Sequence, residues 1–360
     1  SYDAFVVSPV WSSDDRFIYF SSSRGGTLNI WRLNVATSEG VQITAGQGDD
    51  AEIDLSGDGK RIIFSTYRAG ANLVEISLDP RTIGQRKWLT GDSARSETAP
   101  RYSPDGQRIA YFTNRFGAER EGIWVMGADG ANATQLLDDD GRTNVYPRWS
   151  ADGKDVVIYS RSGWTPEERA ELRRIPLAGG APERLPIKAW PPYWGWGDIA
   201  RDGRIIYRTT STTGEVFDPR TNRRQSVPDL FGDPQWSKDG RSFAYAVRAE
   251  PGVHDIKPGL WVSAPGEKAR QVFDGWVIWY AWSTSNELWF IEGRPDLKGI
   301  LWRIPPAGDR TVVLKEIAFF KRPADGYWIA RFDIHPDARR LVVEALETYE
   351  ADIGMIENVR

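Results

Sequence analysis

One short phrase, an apolar residue followed by Ser, a variable position, Asp and Gly, returns eight times along the chain. The first four copies are Trp11-Ser12-Ser13-Asp14-Asp15, Leu55-Ser56-Gly57-Asp58-Gly59, Tyr102-Ser103-Pro104-Asp105-Gly106 and Trp149-Ser150-Ala151-Asp152-Gly153. The others are Ile199-Ala200-Arg201-Asp202-Gly203, Trp236-Ser237-Lys238-Asp239-Gly240, the degraded Trp282-Ser283-Thr284-Ser285-Asn286, and Ile334-His335-Pro336-Asp337-Ala338. Asp bonds its own backbone and Gly supplies a positive φ, so each copy reads as a tight turn between two strands. Counted at the Asp position, the spacings are 44, 47, 47, 50, 37, 46 and 52. A period near 45 belongs to a four-stranded propeller blade and not to a helical repeat.

The interior of each unit follows the same grammar. Strand A ends at the turn and an aromatic or β-branched strand B follows, as in Phe17-Ile18-Tyr19-Phe20 and Val156-Val157-Ile158-Tyr159. After a polar loop come strand C, as in Gly122-Ile123-Trp124-Val125-Met126, and a short strand D, as in Gln135-Leu136-Leu137. The expected fold is all-β: a single propeller domain over residues 1–360 with eight four-stranded blades, or seven if the short, apolar-poor fifth unit is not a true blade. The last unit offers strands A (Tyr327 to Phe332), B (Leu341 to Leu346) and C (Asp352 to Ile356) and then the sequence stops. A final blade of three strands, or one completed by a short N-terminal segment, is expected. The one helical signal is Thr165-Pro166-Glu167-Glu168, inside a long loop.

A chain of 360 residues exceeds the usual limit for one core, but repeats escape it because each unit packs only on its neighbours. With 46 basic and 50 acidic residues interspersed, a nucleic-acid or anionic-membrane surface is not the main partner. No apolar run is long enough to span a bilayer as a helix, and with no cysteine there are no disulfides or thiolate metal sites. The start at Ser1 without a signal peptide suggests a processed or excised piece.

The full phrase, W-S-x-D-G-(K/R)-x-I-x-(F/Y)-x-S-x-R-x-G followed by I-W-x-(M/L), resembles the TolB-type, WD-repeat-like propellers, and it does so over about residues 5–360. The resemblance implies a ring of twisted antiparallel sheets around a central channel. TolB itself is similar in its repeats but has six blades behind a separate N-terminal domain. Propellers of this repeat type also look like sensory modules of bacterial membrane-bound kinases and regulators, and like the gate domain of prolyl-oligopeptidase-type peptidases.

Features shared by most units serve the scaffold. The turn aspartates fall here, as do Trp11, Trp149, Trp236 and Trp282, the strand-C tryptophans, and the arginines that follow strand B, such as Arg24 and Arg161. What breaks the pattern marks a candidate site. Seven of the 17 tryptophans lie in or beside connections, concentrated in the links entering strand A of units five, seven and eight. The residues singled out as stacking platforms at a channel mouth are Tyr193, Trp194, Trp196, Trp276, Trp279, Tyr280, Tyr327 and Trp328. Asp49, Asp50, Glu97 and Asp139, in the links of the opposite arc, are expected to orient a ligand, with no cofactor or metal.

Catalytic motifs fail in turn. The only histidines are His254, in a loop, and His335, in a repeat turn. No G-x-S-x-G elbow or H-E-x-x-H occurs, and Gly57-Asp58-Gly59-Lys60 has Arg61 where a phosphate loop needs Ser or Thr. The sequence therefore reads as a non-catalytic module binding a protein, peptide or carbohydrate. By resemblance it is the extracytoplasmic sensory or scaffold part of a larger bacterial protein. The competing class is an enzyme, either a carbohydrate-active propeller or the gate of a peptidase.

Overall fold

The computed structural model describes residues 6–357 except 23, 25–27, 46–47, 92–95, 115–121, 138–141, 162–169, 190–195, 248–256, 295–298, 308 and 318–330, together with the side chains at 68–70, 170 and 346–351. The helical signal at 165–168 lies outside the described residues, and every described element is a strand.

The first sheet contains β1 (Val6–Trp11), β2 (Phe17–Ser22), β3 (Asn29–Asn34) and β4 (Gly40–Gln42), paired in that order. Next come β5 (Asp49–Leu55), the 17-residue β6 (Arg61–Ser77) and β7 (Arg86–Trp88). Five four-stranded meanders follow. They are β8 to β11 (Ser96–Tyr102, Arg108–Asn114, Gly122–Gly127, Thr134–Leu137) and β12 to β15 (Thr143–Trp149, Asp155–Arg161, Ala170–Pro176, Glu183–Ala189). Then come β16 to β19 (Gly197–Ile199, Ile205–Arg208, Gly214–Asp218, Arg223–Val227) and β20 to β23 (Gln235–Trp236, Phe243–Val247, Gly259–Ser263, Arg270–Asp274). The last meander is β24 to β27 (Val277–Trp282, Leu288–Glu292, Gly299–Ile304, Thr311–Ile317), and β28 (Phe332–Ile334) and β29 (Arg340–Glu357) end the chain. The short fifth unit is a full four-stranded blade.

The turns form as the phrase demands. Ser103 donates its hydroxyl to Asp105, and the Asp105 carboxylate accepts the Gln107 N–H at 3.0 Å. The Gly106 N–H closes the turn on the Ser103 carbonyl at 2.8 Å with φ at +72°. Where Gly is missing, Asp15, Asn286 and Ala338 accept the same left-handed backbone. Strand A carries a second recurrent irregularity. Ser8, Glu52, Ala99 and Tyr146 sit at positive φ where the pairing with strand B slips, so each of these strands bulges just before its turn.

All eight units are sheet, as the repeats predict, but two of them exchange halves. Strands β6 and β29 pair antiparallel along their whole length, from Arg61 opposite Glu357 to Ser77 opposite Arg340. At one end of this ribbon, β28 flanks β29 and β7 flanks β6, giving a four-stranded blade assembled from units two and eight. At the other end β5 flanks β6, giving a three-stranded sheet with the end of β29 as its outer strand. The last unit is therefore not a three-stranded blade of its own: its strands A and B join strands C and D of unit two, and its strand C closes the three-stranded sheet on strands A and B of unit two.

Six blades stand in a circle, which can be traced by hydrogen bonds between neighbours. Trp149 Nε1 donates to the Arg101 carbonyl (2.9 Å), Arg148 Nε to Gly197 (3.1 Å) and the Trp236 N–H to Asp198 (2.9 Å). Trp282 Nε1 donates to Gln235 (3.1 Å), Thr284 to Pro336 (2.8 Å), and the Tyr102 N–H to Asp333 (2.9 Å), which returns to the start. The exchanged blade is the closing member. It packs Val74, Ile76, Phe332 and Val343 against Trp279, Ile291 and Leu301 on one side, and Leu73 and Val342 against Ile109 and Tyr111 on the other. His335, in the place of the turn serine, completes the seam, with Nε2 at 3.0 Å from the Gly106 carbonyl and its ring edge-on to Tyr102.

The first sheet and the three-stranded sheet form a satellite with its own core of Tyr19, Ile30, Ile53, Ile62 and Phe64. Its margins are bare: Trp11, at a repeat position that is buried in Trp149, Trp236 and Trp282, is 54% exposed, and Ile353 is 82% exposed.

Candidate functional site

The six turns of the circle meet at one cavity of about 550 Å³. Its wall takes residues from every ring blade: Arg101 and Pro104, Arg148 and Trp149, Asp198 and Arg201, Gln235 and Lys238, Trp282 and Asn286, Asp333 and Pro336. The satellite contributes none. This is the face of the A-to-B turns, opposite the face of D-to-A links and B-to-C loops singled out from the sequence.

The residue just before each repeated turn phrase forms the lip. Around the circle these positions hold Arg101, Arg148, Asp198, Gln235, Ala281 and Asp333, all but the buried Ala281 in the cavity wall. Two arginines thus stand side by side, an aspartate flanks each of them, and Gln235 lies across the circle. In β8 and β12 the bulges at Ala99 and Tyr146 come two residues before Arg101 and Arg148, and so set the direction of both. Arg101 lies 3.8 Å from Asp333 and Arg148 lies 3.5 Å from Asp198. Burial, and secondarily the charge of Arg101, presses the Arg148 pKa down to about 9, so it remains cationic at neutral pH.

Deeper in the channel, the Arg331 guanidinium lies 5.1 Å from the Tyr146 ring and 5.5 Å from Trp279. It pairs with Glu344 at 3.1 Å, and Glu344 in turn accepts the Ala99 N–H at 2.8 Å. The pair raises the Arg331 pKa although burial alone would lower it.

Several residues singled out from the sequence are walled in. Trp196, Trp279 and Tyr280 are all at most 3% exposed. Trp196 Nε1 donates to the Tyr146 carbonyl, Trp279 lies under Arg101 and Arg331, and the Tyr280 hydroxyl donates to the Asp233 carbonyl. Their faces are spent on neighbouring blades, which corrects their reading as stacking platforms. Trp276 is 44% exposed and lies over Gly293, where a Cβ would come within 2.4 Å of the indole. Asp49, Asp50 and Glu97 are buried at strand starts, not displayed. Asp49 accepts the Leu28 N–H, Asp50 the Thr66 hydroxyl and Glu97 the Thr90 hydroxyl, and Asp49 and Asp50 belong to the satellite. Burial pushes the Asp49 carboxyl up to about 6. Tyr193, Trp194, Tyr327, Trp328 and Asp139 lie outside the described residues.

By residue type alone, the lip positions look like ordinary strand-A residues. The signal was the variable residue preceding an otherwise repeated phrase.

No family model matches the chain. The Tol-Pal system protein TolB of Francisella tularensis is 32% identical over 71 residues, 20% of this chain and 16% of that protein. An uncharacterised Agrobacterium fabrum protein is 39% identical over 61 residues, 17% of this chain and 21% of that one. This chain thus spans about a fifth or less of the curated relatives it matches. Among solved structures, TolB from Acinetobacter baumannii superposes with a TM-score of 0.49 at 12% identity, over 98% of this chain and 81% of that one. The β-propeller domain of the trilobed protease from Pyrococcus furiosus gives 0.44 at 12% identity, over 88% and 98%.

Proposed function

We propose that this chain is a non-catalytic TolB-type binding module that receives a protein segment at the turn-side mouth of its six-membered circle. The observation that carries the reading is the convergence of all six blades on one cavity, with Trp149, Trp236 and Trp282 in its wall beside four basic and three acidic side chains. A concave site with a few convergent polar groups is the usual form of a binding pocket. The naming of a partial relative as a Tol-Pal system component supports a protein partner over a sugar. In this reading the chain works outside the cytoplasm, as the sensory or scaffold part of a larger bacterial protein. A second contact on the opposite face is assigned to Trp276 with Tyr193, Trp194, Tyr327 and Trp328.

Photo-crosslinkers placed at Lys238 and Thr284 test the mouth against one at Trp276. Partner adducts at the first two positions support it. Adducts confined to Trp276 reject the mouth as the docking site, and turnover of a glycan or peptide panel by the purified chain rejects the non-catalytic reading.

A further inference from the structure

The six lip positions differ in chemistry, and their uncommitted groups are of one kind. Arg101 is 7% exposed, yet its Nε and Nη2 have no hydrogen-bond partner. Gln235 is 4% exposed with Nε2 unpartnered, and Trp236 Nε1 is in the same state. All of these are donors. Buried donors are normally satisfied, and a cluster of orphans in a cavity wall calls for an acceptor from outside.

The acids beside the arginines do not saturate them. At 3.8 and 3.5 Å, the approaches of Asp333 to Arg101 and Asp198 to Arg148 are longer than a charge-assisted hydrogen bond of about 2.7–2.9 Å. Each acid also commits an oxygen to a neighbouring backbone, Asp333 to the Tyr102 N–H and Asp198 to the Trp236 N–H, both at 2.9 Å. The aspartates are therefore held in place by the sheets and cannot swing onto the guanidinium forks.

We propose that the anchoring group received by the mouth is a carboxylate, gripped between Arg101 and Arg148 and met from across the circle by Gln235. This deepens, and rests on, the reading of the mouth as the docking site. A planar carboxylate matches a guanidinium fork, and its single charge is tolerated between two fixed aspartates that would repel a phosphate dianion. A neutral sugar would leave the cationic donors without the charge they lack. The bearer is an acidic side chain or the C-terminus of a protein segment, and the two sources differ only in what lies beyond the carboxyl group.

The test uses the full chain and calorimetric titration with four probes. These are a blocked Gly/Ser heptapeptide with a central Glu, the same peptide with a central Gln, an unblocked-C-terminus version of the Gln peptide, and inorganic phosphate. Binding of the Glu peptide at least tenfold tighter than its Gln counterpart, with phosphate weaker than both, supports the proposal for a side chain. Recovery of binding by the free C-terminus assigns the terminal carboxylate instead. Gln235→Glu places an internal carboxylate opposite the arginines and is expected to weaken the acidic probe at least tenfold without lowering the melting temperature. Equal binding of all three peptides, preference for phosphate, or an indifferent Gln235→Glu overturns it. Those results with Lys238 crosslinks intact discard the carboxylate and leave the mouth standing, whereas loss of the crosslinks discards both.

Discussion

Arg101 and Asp333 face each other at 3.8 Å across the seam where the last ring blade meets the first. The second oxygen of Asp333 takes the Tyr102 N–H, so one carboxylate serves both charge and backbone at the closing joint. Asp333→Ala strands a buried guanidinium and a buried N–H and is expected to cost about 3–5 kcal/mol. Asp333→Asn keeps an acceptor for Tyr102 and should cost less than half of that. Urea midpoints of the two variants check the order, and equal losses would reject the charge role.

Trp149 and Trp11 occupy the same place in the repeat but not in space. Trp149 is 8% exposed and donates to the preceding blade, whereas Trp11 is 54% exposed at the margin of the satellite. Trp149→Ala should therefore cost about 3–5 kcal/mol, and Trp11→Ala no more than about 0.5 kcal/mol. Thermal unfolding of the pair measures the difference.

Asp49 gives the satellite a dependence on pH. Its carboxyl is raised from 3.8 to about 6 by burial, against the favourable Leu28 N–H. A raised carboxyl pKa means that the folded chain prefers the protonated form. That stability is complete below the unfolded value of 3.8 and is lost as pH rises through about 6. Asp49→Asn keeps an acceptor for Leu28 and should remove the slope, with a gain on the order of 1–2 kcal/mol at neutral pH once partial screening is allowed for. Hydrogen exchange of the Tyr19 and Ile30 amides across pH 4–7 reads it.

The exchanged ribbon sets Ser65 opposite Ile353, and the native chain has no cysteine to compete. The double variant Ser65→Cys with Ile353→Cys should close a disulfide under mild oxidation, seen as a mobility shift in denaturing gels. Failure to close while the protein stays folded would mean that units two and eight each keep their own strands.

What the sequence made legible was local. Ser103, Asp105 and Gly106 dictate a turn whatever surrounds them, so the turns, the strand order within units and the eight sheets could all be read. Closure could not. Arg24 and its neighbours and Arg68-Ala69-Gly70 read alike as connections after strand B, yet the second runs straight through β6, because β29 offers it a partner along its whole length. The lip was hidden for a related reason. Arg101, Arg148 and Asp198 look like ordinary strand residues until the circle sets their positions side by side. Trp279 and Tyr280 misled in the opposite sense, since an aromatic in a link is as useful for filling the gap between blades as for meeting a ligand.

The joint made by β6 and β29 also sets an order of events. Glu75 waits for Arg340, 265 residues later, so the circle stays open until the strand that carries Arg340 has left the ribosome. Contacts so distant in sequence form slowly. Until they do, the unclaimed edge of β6 is a template for the wrong strand, and the yield of correctly assembled protein in a cell should be limited by this last closure more than by the stability of any one blade.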